Sequence, residues 1–149
     1  MTAPRLGLAM RFRVVVDGLN LGNWASCKGL KLTCKPYTLR ESGNVEYEEI
    51  LPGELSYAPI TLERAMDASS SKTVQNWLRS TYTSWLDEAA AEIFPGSTAQ
   101  ITLLDGAQQT VLTWSLRGVY PIAWTGPTLS AKDSAVAIEA LELTHKGFL

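Results

Sequence analysis

Only one stretch of this chain repeats its apolar residues at intervals of three and four. Val74, Trp77, Leu78, Tyr82, Trp85, Leu86, Ala89 and Ile93 fall on one face of a helix. Asp67 to Ser71 offers N-cap candidates and Pro95-Gly96 stops the run, so the spacing predicts a helix over about residues 71–93. Burial of that stripe is worth roughly 1.5–3 kcal/mol for each large side chain. On both sides of it the apolar residues instead alternate with period two, the mark of half-buried strands. The expected fold is therefore mainly β, with one amphipathic helix inserted midway.

Phe12, Val14 and Val16 alternate with Arg11, Arg13 and Val15 in a first strand that ends at the turn dipeptide Asp17-Gly18. After a break at Gly22-Asn23, Trp24 opens a longer extended segment in which Leu30, Leu32 and Cys34 should face a core while Lys31, Thr33 and Lys35 face out. Pro36 cannot donate to a ladder, which places it at an edge, a bulge or a strand end. Ile60 and Leu62 alternate with Thr61 and Glu63 in a further strand. Ile101 and Leu103 lead to a turn at Asp105-Gly106 and a return through Val111 to Leu116. Pro121, Gly126 and Pro127 mark a stiff connection, with Trp124 as a plug over the core edge. The last strand, from Ser134 to Thr144, changes phase: Val136, Ile138 and Ala140 share one face, Leu141 and Leu143 the other. Either a bulge lies near Ala140 or both faces are covered. These patterns add up to about seven strands in two packed antiparallel sheets, a sandwich or small barrel, in a single domain over 1–149.

The anomaly is the connection between Tyr37 and Ile60. It reads as a loop of about 16 residues, opening on Arg40-Glu41-Ser42-Gly43-Asn44 and closing on Leu51-Pro52-Gly53, longer than most links in a compact domain. Tyr47, Ile50, Leu51, Leu55 and Tyr57 give it apolar surface that a solvated linker does not need. It is expected to pack on something, including another chain.

At 149 residues, with 46% hydrophobic and 19% charged residues and a net charge of −2, the chain can bury its own core and lacks the basic excess of a nucleic-acid binder. No run approaches the ~18 apolar residues of a membrane span. Met1 to Met10, interrupted by Arg5, is too short for a secretory signal, so a cytoplasmic protein is expected. Cys27 and Cys34, seven apart in extended chain, are too distant to bond and are expected as free thiols.

Residues that could carry chemistry are few. The single histidine, His145, has no Cys, His or carboxylate partners at metal-ligand spacing, so neither metal nor cofactor is expected. There is no Gly-x-Ser-x-Gly elbow and no glycine-rich phosphate loop. Glu46, Glu48, Glu49 and Glu54 read as a solvated acidic surface rather than an acid/base pair. Lys28, Lys31 and Lys35 with Arg11 and Arg13 fit a solvated strand face. No catalytic residue is assigned and no enzyme is expected. What remains is a sheet with edges: beyond Pro36 little blunts them, and open edges pair with other chains. A heterologous contact that closes makes a ring, and a second contact along the axis stacks rings.

The order Phe12-Arg-Val-Val-Val-Asp17-Gly18, Gly29-Leu30, Tyr37, Arg40-Glu41-Ser42-Gly43-Asn44, Leu51-Pro52-Gly53, Tyr57 and Ile60-Thr-Leu-Glu-Arg64 resembles the tail-tube proteins of contractile phages and phage-tail-like contractile injection systems. Pro121-Ile-Ala-Trp124 and Glu139-Ala-Leu-Glu-Leu-Thr-His145-Lys-Gly147-Phe148 are similar to that family's C-terminal part. The resemblance covers nearly the whole chain, and the order of the motifs carries it rather than any one of them. Ser42 stands where a second glycine is expected and Ala65 where the family often has glycine.

The resemblance implies two packed β-sheets with one helix, six copies joined edge to edge around a continuous β-barrel lumen, and rings stacked into a tube. It implies interface roles between subunits or rings for Arg40, Glu41, Gly43, Asn44, Leu51, Pro52 and Gly53. Lys72, Arg79 and Glu88 would lie on a helix facing sheath or solvent. The implied partners are further copies of the chain, a sheath protein, baseplate hub or spike and tube-terminator proteins, and a DNA or protein cargo that passes without sequence-specific binding. The alternative on the residues alone is a monomeric β-barrel module for a small ligand or peptide, with a pocket at Trp114 and Trp124.

Overall fold

The computed structural model describes residues 10–89, 91–128 and 136–149. In chain order the elements are β1 (Arg11–Val16), β2 (Leu19–Trp24), β3 (Ser26–Lys28), β4 (Leu32–Leu39), β5 (Glu49–Tyr57), β6 (Ile60–Ala65), α1 (Ala68–Trp85), β7 (Ser97–Leu104), β8 (Thr110–Thr125) and β9 (Ile138–Thr144). Seven strands form one antiparallel sheet in the order β2-β1-β7-β8-β9-β6-β3, and β4 and β5 form a second sheet by themselves. The described residues thus hold nine strands where the alternation suggested about seven. The extra ones come from β2, which continues through Gly22-Asn23 with a register shift there and φ +92° at Gly22, and from the hairpin β4–β5.

The seven-stranded sheet folds on itself along β8. The early part of this strand pairs with β7 (Ile101 opposite Trp114, Ala99 opposite Leu116), and its later part pairs with β9 (Pro121 opposite Leu143, Trp124 opposite Leu141). Register shifts between Ser97 and Ala99 and between Pro121 and Ala123 bracket the change of partner. Bulges of this kind bend and twist a strand locally. Pro121 is therefore inside a strand and at a bulge, not in a connection. Neither reading of the last strand holds: β9 pairs with β6 from Ile60 opposite Leu143 to Ala65 opposite Ile138 without a break, and its buried face is Glu139, Leu141 and Leu143 while Val136 and Ile138 are exposed.

The two halves of the bent sheet close on a core of Val14, Val16, Leu21, Trp24, Ile60, Leu62, Ala99, Ile101, Leu116, Val119, Leu141 and Leu143, completed by Val74 and Trp77 of α1. The β1 alternation is as read: Val14 and Val16 are buried and Arg11 is exposed. The turn after it has φ of +50° at Asp17 and +80° at Gly18, the left-handed pair that a tight two-residue hairpin needs.

The helix starts as expected and stops early. Asp67 is the N-cap, its carboxylate accepting from the Ser70 N–H at 3.1 Å, a bond that also lowers its pKa. The last helical residue is Trp85, and Leu86 caps the end. The Asp87 carboxylate then accepts from the Ala89 N–H at 3.0 Å, a local bond that competes with helical pairing. Ile93 is consequently 93% exposed and takes no part in the helix face. Instead the helix end is fixed by aromatic packing of Tyr82 on Trp85 and of Trp85 and Phe94 on Tyr120, and by a hydrogen bond from the Tyr82 hydroxyl to the Pro121 carbonyl. Ser134 lies outside the described residues. No helix among those described is long and apolar enough to cross a membrane.

Candidate assembly surface

The long connection between Tyr37 and Ile60 is mostly strand. β4 and β5 pair along their length, from Leu32 opposite Tyr57 to Leu39 opposite Glu49, and only residues 40–48 form a loop. Leu51, Pro52 and Gly53 therefore lie within β5. The ladder shifts register between Lys35 and Tyr37, so Pro36 sits at a bulge, one of the three places open to it. Gly53 is opposite that bulge: a Cβ there would lie 2.0 Å from the Lys35 carbonyl oxygen, so only glycine admits this approach of the two backbones.

Every residue of β4 is exposed, and so is nearly all of β5. This overturns the expectation that Leu32 and Cys34 face the chain's own core. Leu32, Tyr37, Leu39, Ile50, Leu51 and Leu55 are all open to solvent, with Tyr37 at 67% and Ile50 at 73%, and Val45 and Tyr47 of the loop are exposed as well. Tyr37 opposes Leu51 and Thr38 opposes Ile50. Adjacent cross-strand pairs point to opposite faces, so both faces of the hairpin carry large apolar groups. A sheet designed for water has one dry face at most.

The loop has an internal frame. Arg40 pairs with Glu48 at 3.2 Å, and the Asn44 side-chain oxygen accepts from the Glu46 and Tyr47 N–H groups at 3.0 and 3.4 Å. The Asn44 N–H in turn reaches the Glu41 carbonyl at 3.1 Å, and Gly43 has φ +87°. Arg40, Glu41, Gly43 and Asn44 thus come together at the hairpin tip, while Leu51, Pro52 and Gly53 stand further down its side. Lys72 and Arg79 lie on the exposed side of α1; Glu88 is exposed but lies beyond the helix end.

A second polar arrangement escaped the sequence reading altogether. Arg64 and Glu139, 6% and 0% exposed, form a buried pair with Nε to Oε1 at 2.7 Å. Ser71 of α1 donates to the same Oε1 at 2.8 Å, and the Trp124 indole N–H donates to Oε2 at 3.1 Å. Arg64 Nη1 donates to the Leu21 carbonyl at 2.6 Å, and its guanidinium lies 3.9 Å over the Trp24 ring. One ion pair so ties β2, β6, α1, β8 and β9 together. The signal was present in the alternation: Arg64 shares the phase of Ile60 and Leu62, and Glu139 that of Leu141 and Leu143. Opposite charges in the core phase of two strands call for each other. Trp124 and Trp114 both pack against the core, Trp124 as the plug expected of it.

The cysteines are free, Cys34 on the exposed hairpin and Cys27 partly buried, its thiol pushed up to about 11 by that burial. Among the described residues no group of three His, Cys, Asp or Glu side chains could hold a metal ion.

The fold is thus a bent β-sheet with a closed core, one helix and a separate hairpin that exposes large apolar side chains on both sides. The particular family is shown by sequence: the model of the T4-like virus tail tube protein gp19 matches residues 8–149, and the chain belongs to that family of structural tube subunits. No curated protein sequence matches it. Its fold is shared with a chain of the anti-feeding prophage baseplate, 6-fold symmetrised (21% identity, 99% of this chain and 95% of the other, TM-score 0.65). It is shared also with a chain of the sheath-tube complex of the PVC extracellular contractile injection system in the extended state (19%, 97% and 88%, TM-score 0.68). Hcp1 from Salmonella typhimurium has the same fold at 10% identity (93% and 83%, TM-score 0.54).

Proposed function

We propose that the whole chain acts as one domain that closes into six-membered rings, and that the rings stack into a rigid inner tube carried within a contractile sheath. The hairpin β4–β5 carries this reading. Large apolar side chains on both of its faces are covered when it lies between neighbouring subunits, and not otherwise. Sheet edges give the second contact: β2 and β3 end the seven-stranded sheet, each with a single strand partner among the described residues. An open edge of this kind pairs with a neighbour, and a heterologous pairing repeated around an axis closes a ring. Arg40, Glu41, Gly43 and Asn44 at the hairpin tip, with Leu51, Pro52 and Gly53 beside it, form the contact between subunits or rings. Lys72 and Arg79 face the sheath, with Glu88 on the same outer surface.

In this reading the protein is a passive conduit and catalyses nothing. Assembly takes place in the cytoplasm on a baseplate hub, a terminator protein ends the tube, and DNA or a protein effector travels through the lumen without sequence-specific contacts. Absence of strong positive charge keeps such cargo from sticking. Negative-stain electron microscopy of the purified protein over a range of concentrations tests the proposal. Rings or tubes with a central channel are expected, and Arg40→Glu or Glu41→Lys should leave rings that do not stack. A protein that stays monomeric in the presence of its baseplate partners would overturn it.

A further inference from the structure

The hairpin is a lever. Among the described residues β4 and β5 pair with no other strand, so its direction is set where it joins the body. At that point Tyr57, the last residue of β5, meets the C-terminal segment: its ring centre lies 5.4 Å from that of His145 and 5.1 Å, edge to face, from that of Phe148. His145 and Phe148 are themselves 6.0 Å apart.

The C-terminal segment is in turn sewn to the bend in β8. The Arg117 N–H donates to the Gly147 carbonyl at 3.0 Å, the Lys146 N–H to the Arg117 carbonyl at 2.7 Å, and the Gly147 N–H to His145 Nδ1 at 3.1 Å. Gly147 has φ +139°, and a Cβ there would lie 2.9 Å from the Tyr57 ring. Any other residue would push the ring away.

We propose that His145, Gly147 and Phe148 form a clasp on Tyr57 that fixes the angle of the hairpin in the free subunit, so that a second copy meets it in one pose. The proposal rests on the reading of the hairpin as the inter-subunit surface. Geometry shows why a clasp is needed. Nine residues of β5 extend about 30 Å, so a swing of roughly 10° at Tyr57 moves the tip by about 5 Å, one strand spacing. A hairpin free to swing that far would reach its neighbour out of register. Ordering it beforehand removes that cost from association.

The test is a spin-label distance measurement between Ser42→Cys at the tip and Lys72→Cys on α1, in a Cys27→Ser, Cys34→Ser background. Leu51→Glu is added so that each measurement is made on separate subunits. A narrow distance distribution is expected for this parent. Phe148→Ala and Tyr57→Ala should each widen it at least twofold, whereas Tyr57→Phe, which keeps the ring, should leave it narrow. A width unchanged by both alanine variants would overturn the clasp. Phe148→Ala keeps the test available should Tyr57→Ala fail to fold. Without Leu51→Glu and without labels, Phe148→Ala should raise the protein concentration at which rings form by tenfold or more. A parent that forms no rings at any concentration would remove the interface reading while leaving the measured hairpin angle to decide the clasp.

Discussion

The Arg64–Glu139 pair and the β4–β5 hairpin break the same rule in opposite directions. One puts charge inside the chain, the other puts large apolar side chains outside it. Arg64 and Glu139 are matched within the subunit: each oxygen of Glu139 has a donor, and Arg64 has an anion at Nε, a carbonyl at Nη1 and an aromatic face, with Nη2 alone lacking a hydrogen-bond partner among the described residues. Tyr37, Ile50, Leu51 and Leu55 find nothing comparable within their own chain. A polar group that has come inside must be matched there, since burial without a partner costs several kcal/mol. An apolar group left outside costs the folded subunit almost nothing and becomes available to the next one. The difference separates what the fold requires from what the assembly requires.

If that separation is right, the largest loss of subunit stability comes from the pair. Glu139→Ala strands a buried guanidinium and should cost about 3–5 kcal/mol, read as a lower denaturation midpoint. Arg64→Met combined with Glu139→Leu should recover much of that loss, because removing both charges together leaves neither unpaired. Equal damage from the single and the double variant would show that the shape of the node, rather than its charge balance, holds the strands.

A smaller loss is expected at Gly53, where hairpin and subunit meet the same constraint. Gly53→Ala forces β4 and β5 apart at the Pro36 bulge and should cost roughly 1–3 kcal/mol of local stability. Hydrogen exchange should show it as faster opening of β4 and β5 with the core strands unaffected. Exchange that rises equally throughout would mean the hairpin is an integral part of the fold.

On the hairpin surface the balance reverses. Tyr37→Glu or Leu51→Glu should change the unfolding free energy of the subunit by no more than about 0.5 kcal/mol, as for other exposed positions. Ring formation, followed by sedimentation, should be lost. Cys34, opposite Leu55, gives a parallel reading without mutation: its thiol should react with a maleimide in the free subunit and be protected in the tube.

These two regions also show how far the chain could be read from its residues. Alternation in Val14 and Val16, Ile60 and Leu62, and Ile101 was enough to place the β core, and the Asp67 to Ser71 region was enough to start the helix. The same alternation in Leu32 and Cys34 was misleading, because a period of two marks a dry face without saying whose chain dries it. Helix spacing carried on past Trp85 into Leu86, Ala89 and Ile93, yet a side-chain bond at Asp87 ends the helix there. The tip residues Arg40 to Asn44 were legible as the opening of a loop, though the strand pairing that follows them was not. For Arg64 and Glu139 the alternation carried the core phase of each charge but not their partnership, since the two are 75 positions apart and only the folded sheet brings β6 beside β9.

The smallest expected effect lies at the clasp, where the two regions join. His145 is 9% exposed, and burial pulls its pKa below the ordinary value of 6.5, while the Gly147 N–H that donates to Nδ1 also requires the neutral ring. The neutral ring is thus the form the fold accepts. Above the unfolded value both states are neutral and His145 adds no pH dependence. As pH falls below it, the unfolded chain takes up a proton that the folded chain resists, so stability declines until the folded pKa is passed and then levels off. Unfolding free energies measured between about pH 7.5 and pH 5 should show this slope, and His145→Gln should flatten it. Tyr57→Ala, which opens the ring's surroundings to water, should weaken the slope as well. If it leaves the slope intact, then the burial of His145 depends on the body of the subunit alone, and the C-terminal segment holds its place whether or not the hairpin is seated on it.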